Sequence, residues 1–344
     1  MPILTRLWAR LGLDTYLLLL IATVSLAALL PARGEAVALV DGVVKLAVAV
    51  LFLLYGARLK PAAIWLGVSH WRLQALIFAS TYALFPVIGV VVRLVLRGHL
   101  PDEVVTGLVF LCLLPSTVQS SIAFTAIARG NVPGALCAAS LSNVLGVFLT
   151  PILVSQLLPG ASGGFSLDAL EQIAVQILAP FVAGQALRPW VGDWLAGHKR
   201  LTSVVDRGSI LLVVYAAFSA GMVAGIWTRL SWDNLALVFL VDAVILGCVL
   251  LVTTLASRFC GFTREDEIAI VFCGSKKSMA GGLPMATVLF AGQAVGLIVL
   301  PLMLFHQLQL FVCATLARRF ARAGDAVRLT KGTRLESGLS PVRP

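Results

Sequence analysis

The chain is a near-continuous succession of apolar stretches, each long enough to cross a membrane as a helix of about 20 residues. Ten such stretches, separated by polar or helix-breaking residues, run at 16–33, 37–56, 73–96, 104–128, 133–157, 169–188, 207–227, 235–257, 266–290 and 294–317. Of the 344 residues, 59% are hydrophobic and only 12% are charged, against roughly 25% charged in soluble domains. Because the runs are continuous rather than alternating, the sequence predicts an all-α polytopic membrane protein with ten transmembrane helices, not a barrel.

The distribution of basic residues predicts the orientation of these helices. With the N-terminus inside, 19 of the 26 Lys and Arg residues fall on the cytoplasmic side and four on the opposite side. The remaining three, Lys45, Lys276 and Lys277, lie within apolar segments. By the positive-inside rule both termini are cytoplasmic, in the inner (plasma) membrane. Since the charges are dispersed between segments and form no single stripe, we expect no nucleic-acid partner.

Two segments are interrupted by helix breakers and polar residues. The fourth contains "LLPSTVQSSIAFTAIARGN" and the ninth contains "GSKKSMAGGLP". Each is the fourth helix of a set of five, and because five is odd, the second set enters the membrane from the opposite side. Matching interruptions in inverted halves indicate the central site of a transporter. We therefore predict a 5+5 inverted repeat (1–158 and 159–318), two crossed broken helices, and a basic disordered cytoplasmic tail at 319–344.

The interruption in the ninth segment carries two adjacent lysines. A charge at the centre of a lipid-facing helix costs about 2.5–3.5 kcal/mol on insertion scales, so each ammonium needs water, a carboxylate or a bound anion. One interpretation pairs a lysine with Asp41, Asp242 or Glu267 simply to hold the bundle together. The other, which we favour, places at least one lysine in the transport cavity. We expect replacement of Lys276 and of Lys277 to have unequal effects.

Candidate substrate- or ion-binding residues lie on the two breaks and on the helices that follow each of them. The fifth segment contributes "CAASLSNVLGVFLTP" and the tenth "FHQLQLF", in which we expect His306, Gln307 and Gln309 to face the same interior. The predicted set is Ser116, Thr117, Gln119, Ser120, Ser121, Ser140, Ser142, Asn143, Gly274, Ser275, Lys276, Lys277, Ser278, Gly281, Gly282, His306 and Gln307. For the polar residues of the fifth segment, plain interhelical hydrogen bonding is an equally good interpretation.

The two motifs "PSTVQSSIAFTAIARGNVPGALCAASLSNVLGVFLTP" and "GSKKSMAGGLPMATVLF" resemble the bile acid:sodium symporter superfamily, in particular its sodium/bile acid cotransporter 7-like branch. The resemblance spans nearly the whole chain. It implies a core domain of helices 3–5 and 8–10 containing the crossed helices, and a panel domain of helices 1, 2, 6 and 7 that moves against it. It also implies two sodium ions behind the crossing.

The residues that the resemblance would assign to sodium are only partly present. Ser121 falls on a serine ligand, but Ile122 falls on an asparagine ligand, and two further ligand positions hold alanines. The glutamate ligand would fall near Cys273, and Lys277 falls near a glutamine ligand. A sodium ion near Ser121, Ser140 and Asn143 stays a candidate, yet an ammonium beside the crossing could replace the sodium charge that neutralises the negative half-helix ends.

The predicted function is a secondary-active carrier of a small or amphipathic organic anion, working by alternating access within the lipid bilayer. Coupling to sodium, coupling to protons through Lys276 or Lys277, and no coupling all stay open. A non-transporting membrane regulator, for example of calcium homeostasis, is the alternative. The chain shows no histidine–glutamate metal pair, so we expect no enzyme activity. No cofactor other than sodium is expected.

Overall fold

A computed structural model describes residues 15–58, 70–158, 175, 179–223, 225 and 231–337, and within these ranges the protein is helical and contains no β-strand. The helices are α1 (Thr15–Leu29), α2 (Glu35–Arg58), α3 (Trp71–Ala79), a π-helical turn (Ser80–Leu84), α4 (Phe85–Leu96), α5 (Asp102–Leu113), α6 (Gln119–Ile127), α7 (Val132–Leu157), α8 (Ala179–Gly197), α9 (Lys199–Val223), α10 (Trp232–Phe259), α11 (Arg264–Gly274), α12 (Met279–Leu289) and α13 (Val295–Ser337).

Six helices are long and apolar enough to cross a membrane, which agrees with a polytopic membrane protein. They cover Glu35–Arg58, Trp71–Leu96, Val132–Leu157, Arg200–Val223, Trp232–Phe259 and Val295–Arg322. The second of these spans α3, the π-helical turn and α4 without a break. The count of ten spans, the inverted repeat and the domain boundaries stay predictions.

Helix ends differ most from the predicted bounds in the middle of the chain. The predicted segment 169–188 begins outside the described residues, and helix α8 continues to Gly197. Helix α9 begins at Lys199, well before the predicted position 207. Hydropathy does not detect these helix ends because they are polar. They are nevertheless helical because charged residues such as Arg and Lys are good helix formers. For the same reason α13 is helical to Ser337, within the stretch predicted as a disordered tail, and residues 338–344 lie outside the described part.

Helices α1, α2, α8 and α9 pack on one another as one group. The contact between α2 and α8 is close because glycines face it from both sides. A Cβ atom added to Gly56 would overlap the carbonyl oxygen of Phe181, and one added to Gly184 would overlap that of Leu53. Gln185 donates a hydrogen bond of 2.7 Å to the Gly56 carbonyl. Small residues of this kind allow membrane helices to approach closely without a hydrophobic driving force.

The other helices form a second group around α5 and α13. Its core contains edge-to-face aromatic pairs, Phe110 with Phe290 and Phe85 with Phe305. Helix α9 of the first group contacts α12 and α13 of the second. The two groups therefore meet at α12, which belongs to the second interrupted segment, and at α13.

Candidate functional site

The two interruptions lie against each other and are joined by hydrogen bonds. Helical conformation stops between Leu113 and Gln119, and again between Gly274 and Met279. The amide of Ser278 donates to the Pro115 carbonyl at 2.8 Å. The Ser116 hydroxyl donates to the Cys273 carbonyl at 2.6 Å. Backbone groups freed at the breaks are thus paired with the other broken segment, as membrane burial requires.

Helix α7 braces the first break. The Ser142 hydroxyl oxygen accepts the Ser116 amide at 3.0 Å, and the Asn143 amide donates to the Ser116 carbonyl at 2.8 Å. The hydroxyl of Tyr82 donates to the Ser142 carbonyl at 2.6 Å. In this conformation Ser142 and Asn143 hold the break in place, which is the hydrogen-bonding role that the sequence left open. Ser140 is half-buried on the same helix.

Hydroxyl groups at and just before the start of α6 form a small network beside the contact between the two breaks. The Thr117 hydroxyl lies 2.8 Å from that of Ser120 and 3.1 Å from that of Ser121. Ser121 also donates to the Phe272 carbonyl on α11 at 3.2 Å. The predicted residues Thr117, Ser120 and Ser121 are therefore together, whereas the side chain of Gln119 lies outside the described part.

Helix α13 braces the second break through Gln309. Its amide oxygen accepts the Lys277 N–H at 2.9 Å, and its amide nitrogen donates to the Lys277 carbonyl at 3.0 Å. The same nitrogen lies 2.9 Å from Nδ1 of His306. Because this nitrogen is a donor, Nδ1 accepts, and neutral His306 carries its proton on Nε2. The side chain of Gln307 is half-buried and makes no hydrogen bond to the described residues.

Gln309 is absent from the predicted set, although it stands in the quoted tenth-segment motif. A polar residue among apolar neighbours was the available signal. Two glutamines lie two positions apart in "HQLQ". Residues at that spacing point to different faces of a helix, so only one of them can meet the break. Sequence alone does not say which one.

Lys277 is buried, with 0% of its surface exposed. Its ammonium donates to the backbone carbonyls of Thr81, Cys112 and Leu114 at 3.0, 3.0 and 2.7 Å. It also lies 4.0 Å from the centre of the Phe85 ring. Three donors meet three acceptors, which is the full capacity of a charged ammonium group.

The Lys276 side chain does not share the surroundings of Lys277, although it is equally buried. Its ammonium lies 4.0 Å from the ring centre of Phe124 and 5.4 Å from that of Phe272. It has no hydrogen-bond partner among the residues the structure describes. Cation–π attraction to two rings satisfies it only in part, so this ammonium retains three unused donors.

Neither lysine contacts a carboxylate in the described structure. Glu267 pairs instead with Arg258, at 2.9 Å. Asp242 is buried on α10, and neither of its oxygens has a hydrogen-bond partner within the described ranges. The interpretation in which a carboxylate–lysine pair holds the bundle together therefore finds no support in these contacts.

The small residues of the second break are enclosed by protein. The Ser80 hydroxyl donates to the Gly274 carbonyl at 2.8 Å, and a Cβ on Gly282 would overlap side-chain atoms of Leu114 and Leu302. Ser278 caps α12 by accepting the Gly281 amide at 3.2 Å. Ser275 donates to the Val271 carbonyl of its own helix at 2.6 Å. In this conformation the predicted residues Gly274, Ser275, Ser278, Gly281 and Gly282 serve close packing and capping.

The side chains predicted to hold sodium have other partners. Ser121 donates to a backbone carbonyl and Asn143 donates to two, those of Ser116 and Ala139. Neither these two side chains nor Ser140 hydrogen-bonds to a carboxylate within the described ranges. A sodium ion near Ser121, Ser140 and Asn143 stays a prediction.

Comparison with known proteins places the chain among membrane transporters. The SBF-like CPA transporter family matches residues 14–322. "Uncharacterized protein PA2026" of Pseudomonas aeruginosa is 52% identical, covering 91% of this chain and 94% of that protein. "Putative symporter YfeH" of Escherichia coli is 46% identical, covering 92% and 95%. "Sodium/bile acid cotransporter 7" of Rattus norvegicus is 28% identical, covering 79% and 81%.

Proposed function

Because the chain belongs to the SBF-like CPA transporter family, we propose that this multi-pass membrane transporter carries an organic anion by alternating access at the two crossed breaks. The proposal rests above all on one observation. The breaks contact each other directly, and the ammonium of Lys276, in the second break, is buried without a hydrogen-bond partner in the described structure. A buried cation without a partner is unfavourable unless another conformation provides one.

An anionic group is the partner that Lys276 lacks. Carboxylate, sulfonate and sulfate oxygens all accept charge-assisted hydrogen bonds from an ammonium. The rings of Phe124 and Phe272 beside it offer an apolar surface for the remainder of such a molecule. A small or amphipathic organic anion therefore fits the site. The name of the rat relative, sodium/bile acid cotransporter 7, is compatible with this class.

Access to Lys276 requires movement, because its ammonium is fully enclosed here. Helices α1, α2, α8 and α9 form one packed group, and the helices around the crossing form another. We propose that these groups move against each other and open the crossing first to one side of the membrane and then to the other. The orientation in the inner membrane, with both termini cytoplasmic, belongs to the same proposal.

Uptake into proteoliposomes tests the proposal. Purified protein is reconstituted and offered labelled carboxylates, sulfonates and sulfates, taurocholate among them, with a sodium gradient, a proton gradient or neither. We expect concentrative uptake of at least one anion. Absence of flux across the whole panel would contradict the carrier and favour the regulator.

Lys276→Met removes the charge and keeps the length of the side chain. Loss of a charge-assisted hydrogen bond to the anion predicts a fall in affinity of about tenfold or more. Lys45→Met is the matched control, since Lys45 is an exposed lysine within α2. Wild-type uptake by Lys276→Met, with the same apparent affinity, would exclude Lys276 as the anion contact.

A further inference from the structure

The Lys277 ammonium sits in a cage of three backbone carbonyl oxygens from separate parts of the fold. Cys112 and Leu114 belong to the end of α5, and Thr81 belongs to the π-helical turn. Thr81 is 196 positions from Lys277 along the chain. The face of Phe85 closes one side of this cage.

Local backbone structure explains why these carbonyls are available. In an α-helix the Thr81 carbonyl would accept the amide of Phe85, but that amide donates to Ser80 in the π-helical turn. The next residue, Pro86, has no amide hydrogen. A π-bulge is the type of helix irregularity that often marks a functional site. The Thr81 carbonyl therefore receives no hydrogen bond from Phe85 or from Pro86 in its own helix.

The end of α5 supplies the other two acceptors. The Cys112 carbonyl would accept the amide of Ser116 if the helix continued, but that amide donates to the hydroxyl of Ser142. Leu114 has extended backbone angles, φ −77° and ψ 156°, and is followed by Pro115. The last carbonyls of a helix are unpaired and carry about half a negative charge.

Carbonyl oxygens converging at the negative end of a helix are the groups that hold small cations in membrane proteins. We propose that this cage is a cation site occupied by the chain's own Lys277 ammonium, so that the transporter takes no free sodium ion there. The described residues contribute no carboxylate to it, and its three acceptors are already used by the three ammonium donors.

A tethered cation has a different consequence from a dissociable one. It neutralises the end of α5 in every conformation that keeps the cage, and it cannot cross the membrane with the substrate. The cage therefore takes no part in any coupling of transport to sodium. The inference goes beyond anion transport, and its test uses no transport measurement.

The test measures thermal unfolding of the purified protein in sodium chloride and in choline chloride at equal ionic strength. Choline has no N–H donor and serves as the inert cation. Because the cage is already filled in the wild type, we expect sodium to raise its midpoint less than that of Lys277→Ala. Lys277→Ala should unfold at a lower temperature in choline. Saturating sodium, or methylammonium, should raise its midpoint by about 5 °C.

Lys277→Gln provides a second variant, since its amide can remain in the cage and keep the fold if Lys277→Ala is not recovered. It should show a smaller rise with sodium. Lys45→Met is the control and should respond to neither cation. A sodium-specific rise in the wild type as large as that in Lys277→Ala would overturn the inference. So would Lys277 variants that show no cation-specific rise, or that are unfolded in both salts.

Discussion

Replacement of Gln309 by methionine tests whether hydrogen bonds from α13 hold the second break in place. Methionine approximates the length and shape of glutamine but cannot form the bonds to the Lys277 N–H and C=O, which are 2.9 and 3.0 Å long. Gln309 is fully buried, so water does not replace the lost partner. A buried polar group left unpaired costs about 1–3 kcal/mol. Two such groups predict a loss of about 2–6 kcal/mol in the free energy of unfolding.

The assay is reversible unfolding in mixed micelles by titration with a denaturing detergent, followed by circular dichroism and tryptophan fluorescence. Gln307→Met is the matched control. It makes the same chemical change two positions away, at a half-buried residue whose side chain has no hydrogen bond to the described residues. We expect this control to stay within about 0.5 kcal/mol of the wild type. Equal stabilities for Gln309→Met and Gln307→Met would refute a bracing role for Gln309.

Two further substitutions test other contacts. Gly184→Leu should separate α2 from α8 and lower stability by several kcal/mol, since even a Cβ would overlap the Leu53 carbonyl. Gly247→Leu on α10, where a Cβ has open space, should be nearly neutral in the same unfolding assay, and equal losses would contradict close packing at Gly184. Asp242→Asn should not lower stability, because the described structure gives the carboxylate no ion-pair partner to lose; a loss of about 3–5 kcal/mol would indicate a buried pair.

The positions of the two breaks could be predicted from sequence because their causes are local. Pro115 lies two residues after Leu113, the last residue of α5, and a polar run follows it. The second break coincides with "SKKS", between Gly274 and Met279. Proline removes a helical donor and glycine weakens a helix wherever they stand. The ends of α8 and α9 were predicted less well, because hydropathy stops at charged residues while the helices continue.

The different surroundings of the two lysines could not be predicted. Lys276 and Lys277 are adjacent and chemically identical, and the sequence indicates only that their effects should differ. The structure directs one ammonium to Phe124 and Phe272, and the other to three carbonyls. The choice depends on backbone angles in a non-helical stretch. It also depends on which acceptors the neighbouring helices leave unpaired.

By itself the sequence determined the class of fold, the family and the places where two helices are interrupted. Hydropathy, helix breakers and family motifs are properties of short windows or of aligned residues, so no coordinates were required. Only the tertiary structure decided that Gln309 rather than Gln307 supports the second break, and that Lys277 fills a carbonyl cage. Its acceptors lie 163 to 196 positions away in the chain. Contacts at such separations arise from the packing of whole helices, which local patterns do not encode.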